Sequence, residues 1–66
     1  MSKKIEELVI DVRDVVPMAD HLVEFGICRT VLCIYVDKTG RVRLEIAGSD
    51  ERTFWPTDKV IVWRVS

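Results

Sequence analysis

The clearest pattern in the chain is alternation in its second half. Residues 29 to 36 (Arg-Thr-Val-Leu-Cys-Ile-Tyr-Val) are rich in β-branched and aromatic types and predict a strand. Asp37-Lys38-Thr39-Gly40 reads as a turn, with Gly40 free to take the positive φ that closes a three-residue loop. Residues 41 to 47 then alternate as Arg, Val, Arg, Leu, Glu, Ile, Ala. With Lys38-Thr39-Gly40 as the loop, the register sets Val36 against Val42, Tyr35 against Arg43, Ile34 against Leu44, Cys33 against Glu45 and Leu32 against Ile46. One face of this hairpin is then aliphatic throughout: Leu32, Ile34, Val36, Val42, Leu44 and Ile46. The other carries Val31, Cys33, Tyr35, Asp37, Arg41, Arg43 and Glu45. A slip of one residue would scramble both faces, so the pattern itself specifies the pairing.

Residues 59 to 65 (Lys-Val-Ile-Val-Trp-Arg-Val) predict another strand, with Ile61, Trp63 and Val65 on one face and Val60, Val62 and Arg64 on the other. Trp63, the largest side chain of the segment, is expected to point inward. Gly48 to Arg52 is a polar loop that continues from Thr53 to Asp58 around Pro56, which biases Trp55 toward extended backbone.

Upstream of the hairpin, Pro17 to Phe25 reads as a helix. Pro17 suits its first turn, Ala19, Leu22 and Val23 make an apolar stripe, and Gly26 is a natural stop. The N-terminal segment admits two descriptions. Ile5, Leu8, Val9, Val12 and Val16 fit a helical stripe running into the next helix with a kink at Pro17. Leu8, Ile10 and Val12 also alternate with Val9, Asp11 and Arg13, and a helix would leave Ile10 on its polar side. Strand is preferred, with Asp14 as turn or cap. The expected fold is therefore α+β, one domain over residues 1–66: β-α-β-β-β, an antiparallel sheet with a helix on one face. A kinked N-terminal helix followed by a three-stranded antiparallel sheet is the alternative.

Composition narrows the function. With 66 residues and 48% apolar content, the chain suits one folded domain. No apolar run approaches the roughly 20 residues of a membrane-spanning helix. Lys3 and Lys4 resemble a basic leader start, but Glu6, Glu7, Asp11 and Asp14 interrupt any apolar region behind them, and Met1-Ser2 reads as a natural start. Cys28 and Cys33, the only cysteines, would sit roughly 16 Å apart on one strand, beyond the roughly 7 Å that a disulfide spans. Two reduced thiols suit a cytoplasmic protein. The net charge is -1, split between an acidic part, residues 1–28 with three bases and six acids, and a basic part, residues 29–66 with seven bases and five acids.

Catalysis finds little support. His21 is the only histidine, and nothing in its spacing brings Cys28 or Cys33 to it as a nucleophile. Asp11 with Asp14 and Asp50 with Glu51 are acid pairs of a kind common at turns, and general acid–base work also needs a pocket. His21 with two thiols matches no zinc pattern, and Gly26, Gly40 and Gly48 form no phosphate loop. No catalytic residue, metal or cofactor is expected.

The second sheet face is the strongest functional clue. Beyond the aliphatic face that a helix would cover, Val31, Cys33, Tyr35, Val60 and Val62 stand among Arg41, Arg43, Glu45 and Arg64. An apolar centre with arginine and tyrosine around it is the anatomy of a protein interface. Phe54 and Trp55 either join it or fold back to plug the sheet's open end. The candidate interface is Tyr35, Arg41, Arg43, Phe54, Trp55, Val60, Val62 and Arg64. An exposed edge of strand 59–65 or of the N-terminal strand offers a second route to self-association. A chain this short, with neither disulfide nor metal, commonly gains stability by oligomerising. The expected function is a non-enzymatic interaction or accessory protein. It is expected to be homodimeric, with an inhibitor or adaptor role toward another protein. Nucleic-acid binding through Tyr35, Arg41, Arg43, Arg64 and the Arg52–Trp55 loop is the alternative. Against it stand the negative charge, Asp37 and Glu45 on the same face, and a single aromatic there.

Overall fold

The computed structural model describes residues 4–65, so the start expected at Met1-Ser2 lies outside the described residues. The described residues form six strands: β1 (Ile5–Asp11), β2 (Asp20–Glu24), β3 (Ile27–Val36), β4 (Val42–Ile46), β5 (Arg52–Phe54) and β6 (Lys59–Val65). One turn of 3₁₀ helix, Val12–Asp14, follows β1. All pairings are antiparallel, in the order β1-β6-β2-β3-β4-β5, which leaves β1 and β5 as the edges of an open sheet. The fold is all-β, and the expected α+β architecture is corrected in both its forms.

The predicted helix at Pro17 to Phe25 is instead a turn and a strand. Ala19 and Asp20 donate their backbone N–H groups to Val16 O, and Asp20 Oδ2 accepts the Val16 N–H at 2.8 Å. Met18 takes φ +68°, outside any helix, and gives its N–H to Val31 O at 2.7 Å. These bonds set β2 beside β3, and period-2 burial follows: Asp20 and Leu22 are buried, His21 and Val23 half-buried on the other side. Gly26 closes a two-residue hairpin instead of a helix, with Phe25 and Gly26 both at positive φ (+51° and +76°). That is the geometry whose twist matches paired strands.

The β3–β4 hairpin follows the expected register from Val36↔Val42 to Cys33↔Glu45. Its loop closes with Asp37 and Gly40 bonded at 3.0 Å and Gly40 at φ +85°. A bulge then intervenes between Val31 and Cys33, so Ile46 faces Val31 and not Leu32. The extra residue reverses the sidedness of the strand's first half. Val31 is fully buried, whereas Leu32, expected inside, is exposed.

The core gathers Leu22, Val31, Val42, Leu44, Ile46, Val60 and Val62 with Val12 and Val15 from the β1–β2 connection. Strands from both ends of the sheet meet there, so the sheet wraps around its own apolar face, a role assigned in the sequence to a helix. Arg52 of β5 reaches Glu24 of β2 at 2.9 Å. In a flat sheet strands three places apart would stand roughly 14 Å from each other. Asp58 O accepts the Val12 N–H at 2.9 Å and fastens the 3₁₀ turn over the core.

Candidate interaction surface

Asp20 and Arg64 sit directly opposite each other on β2 and β6. Asp20 is fully buried and accepts two guanidinium bonds, from Arg64 Nε (2.6 Å) and Nη2 (2.8 Å). The forked arginine, with help from the Val16 N–H, outweighs burial and holds the Asp20 carboxyl below its ordinary range. Arg64, half-buried, is thus a clamp on the buried Asp20.

Val60 and Val62 are also corrected in placement. Both are buried, paired with Ile10 and Leu8 across β1–β6. Trp63, expected inside, lies on the outer face and is 37% exposed. Its indole N–H donates to Glu7 Oε1 at 3.0 Å, a partner available only on that side. The compact valines fit under the 3₁₀ turn, and the bulky amphipathic indole takes the outside.

At the other end of the sheet, Tyr35 and Arg43 belong to a polar network. The Tyr35 hydroxyl donates to Glu51 at 2.7 Å, and Arg43 bridges Glu51 and Asp37, each at 2.8 Å. The Tyr35 hydroxyl, followed by Arg43, lowers the Glu51 pKa, and in return Glu51 raises that of Tyr35. Asp37 is pushed well down by the Thr39 hydroxyl and Arg43. Arg41 lies over the Trp55 ring at 4.4 Å, and Trp55 remains exposed. Phe54, half-buried, packs against the core from β5, pairing with Val42. The eight residues singled out from the sequence therefore do not form one patch. Val60 and Val62 are buried, Arg64 is half-buried against Asp20, Phe54 packs against the core, and Tyr35, Arg41, Arg43 and Trp55 engage partners within the chain.

What the sequence reading missed is the outer face of β1 and β6. Ile5 (63% exposed), Val9 (66%), Ile61, Trp63 and Val65 all point outward, in cross-strand pairs Ile5↔Val65, Val9↔Ile61 and Glu7↔Trp63. Half-buried His21 flanks Trp63 on β2, its Nδ1 at 3.0 Å from Thr30 Oγ1. This apolar face runs to the free edge of β1. The signal was in the sequence, since Val9 alternates with Leu8 and Ile10, but β6 is apolar on both faces and its period could not choose a side.

Two shallow grooves lie elsewhere, one of about 100 Å³ beside the Phe25–Gly26 turn, between Leu22, Ile27, Ile46 and Arg52, and one of about 250 Å³ that reaches this surface only at Ile61. The larger, between Val23, Phe54 and Ile61, is below the roughly 300–1,000 Å³ of small-molecule pockets. Among the described residues no three His, Cys, Asp or Glu side chains cluster as metal ligands, and Cys28 and Cys33 are free thiols. Among them too, no helix is long and apolar enough to cross a membrane. No family model, curated protein or solved structure matches this chain.

Proposed function

We propose that this protein acts by binding, as a homodimer that associates through the β1 side of its sheet, in a reducing compartment such as the cytoplasm. One observation carries it: five exposed apolar side chains (Ile5, Val9, Ile61, Trp63, Val65) share one face and reach an unpaired strand edge. β1 is a seven-residue edge with Ile5, Leu8, Val9 and Ile10 among Glu6, Glu7 and Asp11, and an exposed edge of that length is a template for another strand. The opposite edge is blunted already, because β5 has three residues, two of them polar. Nucleic-acid binding is disfavoured by the state of the arginines: Arg43, Arg52 and Arg64 are paired with acids and Arg41 covers Trp55. An inhibitor or adaptor role toward another protein would use the same dimer.

Light scattering on a sizing column tests it. The expected mass is twice 7.6 kDa, falling toward 7.6 kDa on dilution. Trp63→Ser together with Ile61→Ser should shift that fall to higher concentration. A folded species of 7.6 kDa at every concentration would overturn the proposal.

A further inference from the structure

We infer that two copies pair their β1 strands antiparallel about a two-fold axis at Leu8, joining both sheets into one. This rests on the proposed self-association and specifies its geometry. Cross-strand partners must point to the same face, so a symmetric antiparallel pair of identical strands can be centred only on a residue. Centring on Leu8 alone pairs all seven residues of β1, setting Ile5 against Asp11, Glu6 against Ile10, Glu7 against Val9 and Leu8 against itself.

Charge selects the same register. The neighbouring centres, Glu7 and Val9, pair five residues each and set Glu7 against Glu7 or Glu7 against Asp11. Like charges directly opposite are destabilising, at a Cβ separation of about 5 Å. In the Leu8 register no acid faces an acid. Glu7 meets Glu7 and Asp11 of the second copy only on diagonals, at roughly 7–8 Å. Asp11 is already held by Lys59 at 2.9 Å, and Glu7 accepts the Trp63 indole N–H. Val9 falls diagonal to Val9 and Ile5 of the second copy, so apolar contacts cross the axis on diagonals, between the direct pairs of Val9 with Glu7 and Ile5 with Asp11. On the other face Leu8 meets Leu8, extending the core that each partly enters.

The test is a pair of charge variants at one exposed position. Val9→Glu sets acid against Glu7 on both sides of the axis, whereas Val9→Lys sets a base against it. Val9→Glu should dissociate at a concentration at least roughly tenfold higher than Val9→Lys, and the gap should shrink in high salt. Thermal melts of the dilute monomers should match within a few degrees, since Val9 is 66% exposed. Equal effects of the two variants, or a weaker Val9→Lys dimer, would overturn the register. If the unsubstituted protein still dimerises in that case, the self-association stands and only its geometry fails. A monomeric unsubstituted protein would overturn both.

Discussion

Replacing Arg64 by methionine is expected to leave the protein largely unfolded at neutral pH. Asp20 would keep its buried carboxylate and lose both guanidinium bonds, retaining only the Val16 N–H. Stranding a buried charge by removing its partner costs about 3–5 kcal/mol. A domain of this size seldom has more than about 3–5 kcal/mol in total. The pH dependence carries its own sign. In the unsubstituted protein the Asp20 pKa is lowered, first by Arg64. Its contribution is therefore complete above the ordinary carboxylate value of about 3.9 and is lost as pH falls through the lower folded value. Without the arginine, burial pushes the carboxyl upward, so the neutral acid becomes the tolerated form. The deficit of Arg64→Met should be greatest near neutrality and should shrink toward pH 4, read as the folded fraction by circular dichroism at each pH. A variant within about 0.5 kcal/mol of the original at pH 7 would show the clamp to be dispensable.

The second large effect is expected at Leu44. It is fully buried between Ile34 and Arg52 on the adjacent strands, where both halves of the wrapped sheet converge. Leu44→Ala should cost about 3 kcal/mol, the lost transfer free energy plus an incompletely collapsed cavity. Val36 makes the informative contrast. Alternation puts it on the same face as Leu44, yet it is 62% exposed although its partner Val42 is fully buried, because β2 pairs with β3 only as far as Thr30 and leaves Val36 without a neighbour on that side. Val36→Ala should change stability by less than about 0.5 kcal/mol. Comparable losses at the two positions, read from denaturant midpoints, would mean that Val36 is packed into the core with Val42.

These residues also show what could be read from the sequence alone. The β3–β4 register was legible as far as Cys33↔Glu45, because period 2 and the Gly40 loop specify it jointly. The bulge at Leu32 was not, since an extra residue leaves no mark in a run that is apolar at nearly every position. β1 and β6 were recognisable as strands. β2 was misread because Ala19, Leu22 and Val23 also fit a helical stripe, and five residues are too few to separate the two periods. The deciding facts are tertiary: the Asp20–Arg64 clamp and the Met18 bond to β3. β5 lay hidden in a polar loop because only its pairing with β4 makes it a strand. The placement of the candidate residues differed most at β6. A tryptophan was taken for core and two valines for surface, and the acceptor Glu7, which settles the matter, lies 56 residues away in the chain.

Amide hydrogen exchange of β1, followed by NMR at low and high protein concentration, tests the central claim most directly. In the monomer, those β1 amides that point away from β6 have no partner strand and should exchange quickly. Self-association through this edge predicts that they slow together as concentration rises, in step with the doubling of mass, while β5 amides stay unchanged. Fast exchange at those β1 positions in a solution already shown to be dimeric would contradict it.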